Sequence, residues 1–264
     1  MAPILTPQIY AHRGGAALRP ENTVAAFDHG LSCGADGLEL DVHLSRDGIV
    51  MVHHDATLER TTDGRGPLAA YGADELERLD AGYTFRAEGG ECPYRGRGLR
   101  MPRLAAVLSR YRGIPLIVEL KDPSPELARR TLAEVRAAAA IEGVVIGSFH
   151  RRALQTVRGE EPSIRTGSSR EETRWALYRS RLRVPLRRAP FQEFQVPEAA
   201  GGTTVVTPRF VRDAHRAGLP VKVWTVNDPA DMRRLVAWGV DALITDRPDL
   251  AVRTFRASPD QGHD

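Results

Sequence analysis

Short apolar runs alternate with longer segments of helical period along most of this chain, a pattern that restricts the fold to βα units around a parallel sheet. The runs are Ile9-Tyr10-Ala11 ending at His12, Gly37–Leu44, Leu116–Leu120, Val144–Ser148, Ile164–Thr166, Phe191–Val196, Val221–Thr225 and Ala242–Thr245. Helical patterns fall between them at Thr23–Leu31, Pro125–Ala140, Arg151–Arg158, Pro208–Ala217 and Pro229–Trp238. Asn22 or Thr23 suits the first N-cap, and Gly34 follows that helix's end. Asp47-Gly48 marks a turn, after which Ile49–His53 returns as a further strand. Strand ends recur evenly: Glu119 to Ser148 and Gln195 to Trp224 are each 29 residues apart. Eight such ends fit a closed (β/α)₈ TIM barrel better than an open sheet. Thr57–Met101 keeps no sustained period and is too long for a connection, so it reads as an insertion after the second strand.

The length of 264 residues suits one such domain, and 42% apolar residues are enough for its core. Lys and Arg exceed Asp and Glu by only 37 − 34 = 3, which excludes a strongly charged nucleic-acid binder. One basic concentration stands out between Arg170 and Arg188: Arg174, Arg179, Arg181, Arg183 and Arg187 lie within it. It reads as a solvated helix and loop surface, without the interleaved aromatics of a single-strand binder. Cys33 and Cys92 form no metal or disulfide pattern, which favours a reducing compartment. Met1–Gln8 has no signal-peptide pattern, no run reaches the roughly 18 apolar residues of a membrane span, and Ala257–Asp264 reads as a polar, frayed end. The expectation is a cytoplasmic protein without membrane insertion.

Polar residues gather where strands end, the place where barrel active sites form. Glu39 and Asp41 are two apart on one strand and point to the same side, into the lumen of a barrel. Two unpaired carboxylates there would repel and desolvate at a cost of several kcal/mol. With Glu119 from the neighbouring strand they could hold a hard divalent cation, Mg²⁺ or Ca²⁺, with Mn²⁺ also allowed. They could equally form a buried ion network with Arg13 and Lys121, and spacing alone does not choose. His12 and His54 are the acid–base candidates; His53 alternates with His54, so only one faces the lumen. His53, His43, His29, His150 and His215 read as structural. Arg13 and Lys121 suit phosphate oxygens, one as a fork and one as a point charge. Trp224 could stack on a substrate or cap the core.

These residues resemble the glycerophosphodiester phosphodiesterases. His12-Arg13-Gly14, Pro20-Glu21-Asn22-Thr23 and Phe27 match that family's opening signature, and Gly34-Ala35-Asp36, Glu39, Asp41-Val42, Asp47-Gly48 and His54-Asp55 its second block. Arg60-Thr61-Thr62, Gly64 and Gly66 continue the block. Val223-Trp224-Thr225-Val226-Asn227, Gly239-Val240-Asp241, Thr245-Asp246 and Pro248 resemble its closing signature. Pro102-Arg103-Leu104 departs from the family's Pro-Thr-Leu, and Arg170–Ala200 matches weakly. The resemblance implies His12 and His54 as catalytic, Glu39, Asp41 and Glu119 as metal ligands, and Arg13 and Lys121 as phosphate contacts. It also implies hydrolysis of a small glycerophosphodiester to sn-glycerol 3-phosphate and an alcohol, through a cyclic phosphate that water opens. The rivals are a phospholipase D- or C-like enzyme acting on lipid and a catalytically silent binding barrel. No amphipathic docking segment stands out for the first, and the intact acid and histidine set argues against the second.

Overall fold

The computed structural model describes residues 6–186 and 188–256; Arg187, the end at 257–264 and part of Met1–Gln8 lie outside the described residues. The parallel strands are β1 (Gln8–His12), β2 (Gly37–Leu44), β4 (Leu116–Leu120), β5 (Val144–Gly147), β6 (Arg165–Thr166), β7 (Phe194–Pro197), β10 (Val221–Trp224) and β11 (Ala242–Thr245). They pair in the order β6-β5-β4-β2-β1-β11-β10-β7, and a parallel bridge between Gly167 and Glu193 joins the last to the first. The circle is the expected (β/α)₈ barrel. Val50–Val52 (β3) pairs antiparallel to β2 as the return of a hairpin, outside the circle, and Ala199–Ala200 (β8) and Thr203–Thr204 (β9) form a separate two-stranded antiparallel sheet.

The helices are α1 (Val24–Ser32), α2 (Ala73–Leu76), α3 (Leu104–Arg110), α4 (Pro125–Ala137), α5 (Arg151–Glu160), α6 (Arg170–Arg181), α7 (Pro208–Arg216), α8 (Pro229–Ala237) and α9 (Pro248–Arg256). Local sequence explains where many of them start. Thr23, Ser124, Thr207 and Asp228 each accept a backbone N–H from the first turn, and the last three are followed by proline at the first helical position. α1 packs close against β1 because Gly14 and Gly30 face the contact. A Cβ on Gly14 would lie 2.6 Å from Ala26 C, and one on Gly30 2.7 Å from Ala11 Cβ. No helix among the described residues is long and apolar enough to cross a membrane.

Alternation along each strand separates two cores. Ile9, Leu38, Leu40, Val118 and Leu243 point outward into the apolar layers beneath the helices. Tyr10, Ile117, Val145, Ala242 and Ile244 fill the lumen, with Trp224 packed above them. The 57–101 insertion has its own small core, in which Leu58, Leu68, Ala73, Leu76 and Met101 pack on Met51 of β3.

Several sequence-derived boundaries shift. The expected Phe191–Val196 strand begins only at Phe194, because Phe191 turns aside to pack edge-on against it with ring centroids 5.0 Å apart. Ile164–Thr166 contracts to two ladder residues. The Arg-rich segment is helix and loop, as read: α6 spans Arg170–Arg181 and the described residues after it are non-helical, but its surface is not a plain solvated one. Trp175, Tyr178, Leu182 and Val184 are four of the five large apolar side chains exposed among the described residues. Aromatics therefore do interleave with those arginines, contrary to the sequence reading. Arg103, at the Pro-Thr-Leu departure, precedes α3 without capping it and ion-pairs instead with Asp74 and Glu77 of the insertion.

Candidate active site

Strand register assembles the site. His12 lies beside Glu39 across β1 and β2, and Asp41 lies beside Glu119 across β2 and β4. Each of Glu39, Asp41 and Glu119 offers an oxygen within 4.8 Å of those of the other two. A pocket of about 120 Å³ at the C-terminal strand ends is lined by His12, Arg13, Glu39, His54, Glu119, Lys121 and Trp224, with others. Asp41 is fully buried within the same cluster. All eight side chains singled out from the sequence therefore converge.

Both catalytic candidates have one ring nitrogen tied down. His12 Nδ1 is 2.7 Å from Asp246 Oδ1, and His54 Nδ1 is 2.5 Å from Asp55 Oδ1. The Asp55 carboxyl is held at about 2: Arg60 and His54 outweigh the burial that would raise it. The Asp246 carboxyl is likewise lowered, by His12 against burial. Ionised carboxylates only accept, so Nδ1 carries the proton in each neutral imidazole and Nε2 keeps its lone pair. Burial lowers the His54 pKa despite Asp41, whereas Glu39 and Asp246 overcome burial at His12 and raise it.

The acids and cations form the ion network that spacing had left open. Lys121 Nζ is 2.9 Å from Asp41 Oδ1 and 2.9 Å from Glu119 Oε2. Arg13 Nε is 3.1 Å from Asp41 Oδ2, its Nη1 donates to Glu21 at 3.1 Å, and its backbone N–H donates to Glu39 Oε2. That last bond requires the His12-Arg13-Gly14 turn, in which Arg13 takes φ 53° and Gly14 φ 86°. The network does not neutralise the acids. Burial, Asp41 and Glu119 push the Glu39 carboxyl up to about 8, against His12 and Lys121. Buried Glu119 Oε1 has no hydrogen-bond partner. Three carboxylates against two cations, one acid oxygen orphaned and all donors oxygen, fit a hard divalent ion added to the network.

Four residues outside that set, none of them singled out as a site residue from the chain, position the others. Asp246 orients His12 and is itself held by Asn227 Nδ2 at 2.8 Å. Asn22 donates to Asp41 Oδ2 at 2.8 Å. Arg60, from the insertion, donates twice to Glu21 at 2.7 Å and also to Asp55, which links the insertion to His54 and Arg13. Only the contiguity of Asp55 with His54 was readable from the chain.

The chain matches the model of the glycerophosphoryl diester phosphodiesterase family over residues 12–250. It belongs to that family. Membership makes it a phosphoric diester hydrolase. It is 31% identical over 253 residues to a glycerophosphodiester phosphodiesterase of Caldanaerobacter subterraneus subsp. tengcongensis, covering 94% of this chain and 97% of the relative. Among solved structures, the glycerophosphoryl diester phosphodiesterase domain of a Mycobacterium tuberculosis protein shares the fold at TM-score 0.83 and 24% identity, covering 95% of this chain and 99% of that one. An Oleispira antarctica phosphodiesterase, solved with the product sn-glycerol-3-phosphate, matches at TM-score 0.77 and 27% identity, covering 96% and 98%.

Proposed function

We propose that this phosphodiesterase hydrolyses glycerophosphodiesters to sn-glycerol 3-phosphate and an alcohol, with a divalent cation at Glu39, Asp41 and Glu119. The observation that carries the proposal is the three-carboxylate cluster flanked by two imidazoles whose Nδ1 atoms are fixed by Asp246 and Asp55. The related Oleispira antarctica enzyme with bound sn-glycerol-3-phosphate supports the same substrate class. Mg²⁺ or Ca²⁺, or Mn²⁺, when bound there would withdraw charge from a phosphate oxygen and acidify a glycerol hydroxyl.

The protein's own groups supply the rest. Lys121 uses two directions on Asp41 and Glu119 and has a third N–H for a phosphate oxygen. Arg13 has guanidinium donors beyond those on Asp41 and Glu21. One imidazole takes the proton of the attacking glycerol hydroxyl through Nε2, and the other protonates the departing alkoxide as its bond to phosphorus breaks. The roles reverse when water opens the cyclic phosphate. Trp224 borders the pocket where glycerol would stack.

His12→Ala and His54→Ala test the assignment. Each is expected to lower kcat by roughly 10²–10⁴-fold with an unchanged thermal transition. Activity within a few-fold of the parent in either folded variant would remove that histidine from the mechanism.

A further inference from the structure

A second cavity, of about 620 Å³, opens beside the catalytic pocket of about 120 Å³. The two share Phe149, Ser168, Gln195 and Trp224 in their walls. Its floor is apolar, formed by Leu177, Val196, Pro197 and Val205 with Trp224. Its charged residues are all arginines: Arg170, Arg174 and Arg181 of α6. The spacing of four and then seven residues puts all three on one face of that helix. No carboxylate among the described residues lines the cavity, because the acids of α6, Glu171 and Glu172, line a separate pocket with Trp175.

The cavity adjoins the reacting end. Phe149 packs edge-on against Trp224 with centroids 5.6 Å apart. Lys121 Nζ lies 6.0 Å from its ring centre and Arg170 Cζ 5.1 Å. One aromatic ring thus connects a cation of the catalytic pocket to the first arginine of the cavity. A quaternary or primary ammonium would need an aromatic face or a carboxylate. Trp224 and Tyr178 offer aromatic faces in this cavity, but three guanidiniums and no carboxylate in its described walls set up a field that opposes a cation.

On the reading given under the proposed function, we infer that this cavity binds the leaving alcohol and selects one that is bulky and negatively charged. Its carbon skeleton lies on Val196, Pro197 and Trp224, and its charge on Arg170 and Arg174. Arg181 closes the far end, where its Nη2 donates to Thr204 O at 3.3 Å. The basic segment that composition alone left as solvated surface is then a specificity device.

The test compares kcat/KM for three diesters: glycerophosphocholine, glycerophosphoinositol and glycerophosphoinositol 4-phosphate. They differ in leaving-group charge, and the last two share one ring. The expected order is phosphorylated inositol, then inositol, then choline, with at least about a tenfold span. The double substitution R170Q/R174Q, at exposed positions, is expected to lower kcat/KM for the phosphorylated substrate about tenfold, mainly through KM, and to raise that for glycerophosphocholine. Equal or better turnover of glycerophosphocholine by the parent would overturn the inference while leaving the proposed reaction standing. Hydrolysis of none of the three with any divalent ion would instead remove the reaction on which it rests. Cleavage confined to diesters anchored in phosphatidylglycerol vesicles, lost in R170Q/R174Q, would assign these arginines to a lipid surface and also overturn it.

Discussion

The two sides of the barrel mouth are built on opposite principles. On the side of β1, β2 and β4, Glu39, Asp41, Glu119, Arg13 and Lys121 are buried or nearly so, and nearly every charge meets an opposite one within about 3 Å. On the side of β6, β7 and α6, Arg170 and Arg174 stand exposed over an apolar floor, with no carboxylate against them among the described residues. Buried charge held by opposite charge gives fixed geometry, which bond making requires. Exposed, uncompensated charge gives a directional field over a roomy surface, which suits choosing among ligands.

Substitutions on the compensated side should therefore cost the most. Asp41→Asn keeps the shape but removes the charge shared by Lys121, Arg13 and the proposed cation. It is expected to lower kcat/KM about 10³-fold or more and to weaken Mn²⁺ binding in calorimetry. Unchanged Mn²⁺ affinity would break the comparison at its strongest point. Asp246→Asn comes next. An amide facing Nδ1 can donate to it and place the His12 proton on the wrong nitrogen, with an expected loss of about 10–100-fold. A positioning role also requires the acidic limb of the pH–rate profile to move and Asp246→Glu to recover part of the activity. An unmoved acidic limb together with no recovery in Asp246→Glu would reduce Asp246 to a structural contact.

Trp224→Ala probes the boundary between the two sides. Loss of a stacking surface should raise KM by about tenfold with kcat within a few-fold, since the ring touches no transferred proton. A kcat loss larger than the KM effect would place it with the catalytic side. The smallest effect is expected at Glu134, remote from both. Burial raises its carboxyl to about 7 from an ordinary 4.5, against backbone donors at Val50 and Ala105. A raised folded pKa stabilises the folded state below pH 4.5, and that contribution is lost as pH rises through 7. Glu134→Gln should thus match the parent near pH 4 and exceed it by about 1 kcal/mol at pH 8, read from thermal melts. Equal stability at both pH values would show that the carboxylate finds full compensation.

The convergence of the candidate positions was legible because it follows from local rules. The two-residue period put Glu39 and Asp41 on one face, and barrel topology put Glu119 and Lys121 next to them. The residues that complete them were not, because their pairings cross the chain. His12 and Asp246 are separated by 234 positions, and Arg60 reaches Glu21 across 39. β6 and β7 were misjudged in length because only one bridge closes the circle there, so packing of Phe191 and Phe194 competes with the ladder. α6 was readable in principle: Ser169-Arg170-Glu171-Glu172 is a capping box, with Ser169 and Glu172 reciprocally bonded. Its polar composition placed a helix in this segment without fixing its bounds. The exposure of Trp175 and Tyr178 depends on which helix face the barrel covers, which no local pattern records.

On the proposed function, a divalent cation completes the side of β1, β2 and β4, which then cleaves glycerophosphodiesters. The direct measurement is release of glycerol 3-phosphate from glycerophosphoinositol and glycerophosphocholine by metal-stripped protein, with Mg²⁺, Ca²⁺ or Mn²⁺ returned separately. Negligible release without metal and restoration by at least one ion, absent in Asp41→Asn, are expected. Undiminished release from the stripped protein, or none with any ion from a folded one, would contradict it.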